Sequence, residues 1–222
     1  GVANTLVAGD FLLVRAFSLC ARLDKHIIAQ SEKGCIELTE GEILETPLYQ
    51  EHHTLKSALM IARKKTASLF RLATHCGAYL ADARNAAAQE MSSFGESLGI
   101  AFQILDDILD AAPGKNHHGK PTGIDLRERK PSLVNLLWLN SGSSLAQRLL
   151  SPPDAHEENF IAAALEEIHS LKILHQAKKL AHKYVQTART HLQRAATRYG
   201  APCLEALAGL EALLDYTLSR AE

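Results

Sequence analysis

Aromatic side chains are scarce in this 222-residue sequence, at 5% with a single tryptophan. Sheets draw on aromatic and β-branched residues, so their scarcity beside abundant alanine and leucine points to helices. No stretch sustains the period-two alternation of a half-buried strand. An excess of one charge is also missing: 24 Lys+Arg stand against 25 Asp+Glu, a net charge of −1. That removes the electrostatic footprint of a nucleic-acid binder, and no nucleic-acid motif is present. The four cysteines, Cys20, Cys35, Cys76 and Cys203, form no Cys-x-x-Cys. A zinc knuckle or redox pair is thereby excluded, and the reading is reduced, mostly buried thiols in a cytoplasmic protein. No apolar run reads as long enough for a membrane span. The opening segment 1–23 carries Asp10 and Arg15 and lacks a basic start, so it reads as a core helix and not a signal peptide.

What is present is helical periodicity. Apolar spacing predicts helices over 3–23, 26–45, 54–75 with an interruption at Gly77, 86–111, 131–139, 143–150, 156–169, 171–198 and 202–220. Pro47, Pro113-Gly114, Pro152-Pro153 and Gly200 punctuate them. With no repeat at solenoid spacing, the expectation is one all-α domain over residues 1–222.

The segment Phe102-Gln103-Ile104-Leu105-Asp106-Asp107-Ile108-Leu109-Asp110 stands out. It puts three carboxylates in the last turns of a helix that Pro113-Gly114 terminates. The macrodipole is negative there, so acids are unfavourable unless a positive charge joins them. Phe94, Leu98, Ala101, Leu105, Ile108 and Ala112 share one apolar face; Glu96, Gly99, Gln103, Asp106 and Asp110 share another, with Asp107 at its flank. Oxygen ligands at that spacing suit a hard cation such as Mg²⁺, which keeps waters and uses one or two carboxylates plus substrate phosphates. A solvated acidic face would mix acids with bases, yet no lysine or arginine occurs between Arg84 and Lys115.

Lys65 interrupts the apolar stripe Leu55, Ala58, Ala62, Lys65, Leu69, Leu72, and Thr66 lies on the adjoining inward stripe. Arg63 and Lys64 fall outside both and read as solvated. An inward lysine needs an anionic partner or shifts its pKa; the bland alternative is a snorkelling side chain. After the acids comes a loop with Lys115, Lys120, Arg127, Arg129 and Lys130 among Gly114, Gly119 and Gly123, a composition suited to closing over an anion. Acids, inward lysine and basic loop together describe Mg²⁺-assisted handling of a diphosphate beside an apolar interior that excludes water.

These residues resemble the all-trans polyprenyl diphosphate synthases. Phe102-Gln103-x-x-Asp106-Asp107-x-x-Asp110 is similar to that family's second aspartate-rich motif, and Gly119-Lys120-Pro121-x-Gly123-x-Asp125-Leu126 to the segment after it. Lys65-Thr66, Gly41-Glu42-Ile43-Leu44, Leu6-Val7-Ala8-Gly9-Asp10 and Tyr216-x-x-x-Arg220 follow in family order. The resemblance implies a bundle of long antiparallel helices around a central apolar cavity. It implies Mg²⁺-dependent condensation of isopentenyl diphosphate with an allylic diphosphate, by a dimer with itself or with another synthase subunit. It assigns Asp106, Asp107 and Asp110 to Mg²⁺, and Lys65, Lys120 and Lys130 to the allylic diphosphate. Thr66 and Gln103 fall near the reacting carbons and leaving group, and Asp125 near the metal's water shell. The sequence departs in three places: Arg129 stands where the family usually has glycine, Val134 where it usually has proline, and the first aspartate-rich motif is expected before Gly1. Without that motif the chain alone is expected to be inactive. A non-catalytic subunit that stabilises or regulates a full-length synthase is the alternative. A di-metal carboxylate bundle would need a second Glu-x-x-His beside Glu166-x-x-His169, and none is found.

Overall fold

In the computed structural model, which describes residues 1–81, 85–112, 122–199 and 204–220, the chain is a bundle of helices with no strand among the described residues. In order these are α1 (Val2–Cys20), α2 (Lys25–Leu44), α3 (Leu55–Ile61), a π-helical turn (Ala62–Thr66), α4 (Ala67–Leu80), α5 (Asn85–Asp110), α6 (Ile124–Arg127), α7 (Leu133–Leu139), a 3₁₀ turn (Ala146–Leu150), α8 (Glu157–Ser170), α9 (Ile173–Tyr199) and α10 (Leu204–Ser219). Starts are fixed by side chains that satisfy orphan N–H groups. The Asp24 carboxylate accepts from Ile27 N at 3.0 Å, Thr54 and Ser57 cap one another, and Ser132 accepts from Asn135 N at 3.3 Å.

The acid-bearing helix α5 is central, packing most extensively against α9 and α4. Its buried face is the one its periodicity marks: Phe94, Leu98, Ala101, Leu105 and Ile108 are all under 5% exposed. The facing stripe of α9 is Ile173, Ala177, Ala181, Val185, Ala188, Leu192 and Ala195, whose small side chains let the two helices approach closely. Glu90 ties the same pair: its carboxylate meets His191 Nδ1 at 2.7 Å and Arg198 at 3.1 Å. The His191 hydrogen bond, and then Arg198 and His191 charge, hold its carboxyl below the ordinary 4.5. A depressed pKa contributes stability that is present above the unfolded value and lost as pH falls through the folded one. Glu90→Gln therefore lowers the stability measured at pH 7 by at most about 1 kcal/mol, and changes nothing once Glu90 is protonated in both states.

The structure departs from the sequence-based expectations in four places. The 54–75 run does not bend at Gly77, where a Cβ would meet nothing; it bulges earlier, at the π-helical turn, and continues to Leu80. Arg63 is exposed as expected, meeting Glu96 at 3.1 Å, but Lys64 is half-buried and pairs with Glu40. Residues 143–150 form only the short 3₁₀ turn. The first helix is not a core helix: no residue of α1 is buried, and Val2, Leu6, Val7, Phe11, Leu12, Leu13, Val14, Phe17 and Leu19 are exposed. Among the described residues it is the one helix long and apolar enough to cross a membrane by length and composition, with mean hydropathy 1.4. That corrects the expectation of no such run, although Asp10 and Arg15 inside it are charges a span avoids. The cysteines Cys20, Cys35 and Cys76 are free.

Candidate functional site

One cavity of about 790 Å³ collects the singled-out residues. The end of α5 supplies Gln103, Asp106, Asp107 and Asp110; the π-helical turn supplies Lys65 and Thr66; the segment around α6 supplies Asp125 and Lys130. Leu59, Ile61, Ile104, Leu109 and Leu133 give it apolar walls. Lys120, with Lys115, Gly119 and Pro121, lies outside the described residues.

The acids at the C-terminal end of α5 are met by the N-termini of two other helices, whose orphan N–H groups and positive dipole ends complement them. Asp107 Oδ2 accepts from Leu133 N, the first residue of α7, at 2.9 Å, while its Oδ1 accepts from Gln103 Nε2 at 2.9 Å. Asp110 accepts from Ile124 N and Asp125 N, the first residues of α6, at 3.0 Å each. Gly123 completes this join: its N–H donates to Asp110 O at 2.8 Å, its φ is 78°, and a Cβ there would strike Ile161 at 2.8 Å. Asp106 is the open member, its side chain 59% exposed, with Arg220 Nη2 at 3.7 Å.

This compensation is incomplete. Burial first, then the charges of Asp125 and Asp106, push Asp107 up to about 8 against its hydrogen bonds. Burial and then Asp110 push Asp125 up to about 7. Burial likewise raises Asp110. Three buried carboxyls, Asp107, Asp110 and Asp125, thus crowd together and resist ionisation. Among the described residues no three His, Cys, Asp or Glu side chains converge as a preformed cage. Asp106, Asp107 and Asp110 share the cavity without meeting at one point. Such a set fits a hard cation that keeps water ligands and takes part of its shell from phosphate, and it does not fit an all-protein cage.

Two lysines bring positive charge into the same cavity. Lys65 Nζ lies 2.7 Å from Glu45 and 3.0 Å from Glu42. Burial works against its charge, but the hydrogen bonds to Glu45 and Glu42 outweigh it, so its pKa is raised and it is an ammonium at neutral pH. Lys130 behaves the same way: burial opposes the charge, and Glu128 at 2.8 Å with Asp125 at 3.4 Å raise it. A polar thread links the π-helical turn to α5. Thr66 Oγ1 donates to Gln103 Oε1 at 2.5 Å, and Gln103 in turn donates to Asp107.

Sequence reasoning missed Glu45 as the partner of Lys65, Asn135 and the role of Arg220. Asn135 is buried and its amide donates to Asp125 O at 3.1 Å and Lys130 O at 3.0 Å, which fixes the loop carrying both. A lone amide inside Leu133-Val134-Asn135-Leu136-Leu137 was a visible signal. Arg220 stacks on the Phe102 ring at 4.5 Å, and its buried Nη1 has no hydrogen-bond partner.

The substitution at Arg129 is also explained. Its φ is 53°, the left-handed region that suits glycine. The guanidinium is 1% exposed, pairs with Glu157 at 2.6 Å, donates to Leu126 O and Ser151 O, and lies over Phe160. Arg129→Ala leaves Glu157 without its buried partner and should cost about 3 kcal/mol in denaturant unfolding. Arg129→Gly should cost about 1 kcal/mol less, because it relieves the left-handed strain.

The chain is similar to known proteins in sequence and in fold. Residues 1–175 match the family model "Polyprenyl synthetase". The octaprenyl diphosphate synthase of Haemophilus influenzae is 30% identical, over 80% of this chain and 54% of its own. The nonaprenyl diphosphate synthase of Mycobacterium tuberculosis is 31% identical, over 97% of this chain and 63% of its own. The structure of a polyprenyl synthase from Caulobacter crescentus, complexed with calcium and isoprenyl diphosphate, superposes with a TM-score of 0.85 at 28% identity, covering 99% of this chain and 67% of that one. The chain spans about half the length of the curated relatives it matches.

Proposed function

This chain belongs to the polyprenyl synthetase family, and from that premise we propose that it is most of a trans-prenyltransferase, a single helical domain that condenses isopentenyl diphosphate with an allylic diphosphate. The observation that carries the reading is the shared cavity: the crowded carboxyl groups of α5 line it together with Lys65, Lys130 and the Thr66–Gln103 hydrogen bond. A solved relative described with calcium and isoprenyl diphosphate supports it. In this reading Asp106, Asp107 and Asp110 hold Mg²⁺, with Asp125 behind them. Bound Mg²⁺ would neutralise the diphosphate oxygens and improve the leaving group.

The chain's own residues do the rest. Lys65 and Lys130, kept protonated by their acidic neighbours, exchange those partners for diphosphate oxygens, and Lys120 joins them. Thr66 and Gln103 present a hydroxyl and an amide where the allylic C–O bond breaks. Leu59, Ile104 and Leu133 keep water from the allylic cation while the new C–C bond forms and the proton lost passes to the released diphosphate. The working unit is a dimer in the cytoplasm.

The test is transfer of labelled isopentenyl diphosphate to an extractable prenyl product, with an allylic diphosphate and Mg²⁺, by the whole protein or its complex with a synthase subunit. Transfer should collapse in Asp106→Ala/Asp107→Ala. Unchanged transfer by a complex carrying that double variant would instead make the chain a non-catalytic, stabilising subunit.

A further inference from the structure

Away from the cavity, the end of α1, the start of α2 and the end of α4 bring metal-ligating side chains together. His26 Nε2 and His75 Nε2 lie 2.9 Å apart. His75 Nδ1 sits 3.3 Å from Ala88 O, and this carbonyl can only accept, so Nδ1 carries the ring proton. The lone pair of His75 Nε2 is therefore aimed at His26. Anchoring the far ring nitrogen on a carbonyl is how proteins prepare an imidazole for a metal. The His26 ring is in turn held by stacking on Tyr79 at 4.3 Å, and the Tyr79 hydroxyl donates to Asp24 Oδ2 at 2.6 Å.

Two thiols lie on the same elements, Cys20 at the end of α1 and Cys76 in α4. Cys20 Sγ accepts from the Ser31 hydroxyl at 3.5 Å. Cys76 follows His75 directly, and after burial it is the nearby Cys20 and Asp24 that raise its pKa. None of these residues lines the cavity, and nothing in the proposed reaction uses them.

We propose that His26 and His75 form a binding site for a borderline transition-metal ion of the zinc class, which ties α2 to α4. Imidazole nitrogen suits that class, whereas the carboxylates of the cavity suit Mg²⁺, so the two sites select different ions. A proton now bridges the two rings; a metal replaces it once His26 also takes the Nδ1–H form. Two nitrogens on a tetrahedral zinc are about 3.3 Å apart, so the rings need part by only roughly 0.4 Å. Among the described residues no third ligand is in place. Water completes the shell. The ion joins the helices whose opposite ends carry Glu45 and the Lys65–Thr66 turn.

The test uses the full chain carrying Asp106→Ala and Asp107→Ala, so that cavity binding cannot contribute. Zn²⁺ should raise its melting temperature in a saturable way that a chelator reverses, and Mg²⁺ should not. Adding His26→Gln or His75→Gln should abolish the rise, with circular dichroism at low temperature verifying that each variant keeps its helices. Co²⁺ supplies a readout independent of stability: visible absorption of tetrahedral intensity should appear with both histidines and vanish when either is replaced. Absence of both signals, or their persistence in the histidine variants, overturns the site and leaves the reading of the cavity untouched.

Discussion

Mg²⁺ together with inorganic diphosphate raises the melting temperature of the protein, and Asp106→Ala/Asp107→Ala removes that rise. Ligand at about a hundred times its Kd stabilises by roughly 2.7 kcal/mol. For a domain of this size each kcal/mol moves the midpoint by about 2–4 °C, so the expected shift is roughly 5–10 °C. The double variant removes the open carboxylate and the most strongly perturbed one, Asp107, which burial pushes up to about 8. It also strips Leu133 N and the Gln103 amide of their acceptor, so its starting stability changes too. Asp107→Asn separates the two effects. The asparagine oxygen can accept from Leu133 N, and a turned-over Gln103 amide can pair with its nitrogen. This variant should keep the baseline midpoint in differential scanning fluorimetry and lose most of the ligand-induced shift.

Gly41→Ala is expected to cost about 3 kcal/mol, the upper end of overpacking, and to weaken diphosphate binding disproportionately. The π-helical turn that carries Lys65 and Thr66 is gripped between two glycines. A methyl group at Gly41 would lie 2.7 Å from Lys65 Cα and 2.8 Å from its Cβ. One at Gly99, on α5, would lie 2.5 Å from Ala67 Cα and 2.7 Å from its Cβ. These are backbone collisions, so no flexible side-chain end can give way; the turn itself must move. It would carry Lys65 away from Glu45 and Thr66 away from Gln103. A general loss of packing would lower stability and leave diphosphate affinity intact in the molecules that remain folded. Calorimetric affinity measured well below each midpoint distinguishes the two. Gly77→Ala, where the added methyl meets nothing, is the control and should leave both quantities unchanged.

Much of this architecture could be read from residue spacing. The apolar faces of α5 and α9 repeat at three and four, and burial follows the same repeat, so the long helices and their inward faces were accessible. Lys65 and Thr66 were identifiable as inward because each interrupts an apolar stripe. The partners were less accessible. Glu45 meets Lys65 from twenty residues away, and Arg220 reaches Asp106 from the last described residue. Pairings of that separation follow from packing, which no local pattern encodes. The π-helical turn was also hidden, and the close approach of Gly41 and Gly99 to it comes from other helices. The puzzle of acids at a helix C-terminus had a half-answer invisible in sequence: the N-termini of α6 and α7 receive Asp110 and Asp107. Only Asp106 is left facing the cavity largely open. For α1, amphipathic spacing and hydropathy describe a packing helix, yet the described residues leave it uncovered.

The central claim is a diphosphate site whose affinity depends on a hard cation held by the α5 carboxylates and on the Lys65 ammonium. Isothermal titration of inorganic diphosphate into the protein, with and without Mg²⁺, tests it most directly. Binding heat that requires Mg²⁺, and that falls at least tenfold in affinity in Lys65→Ala, is the predicted result. Equal affinity without Mg²⁺, or affinity unchanged in Asp106→Ala/Asp107→Ala, would contradict it.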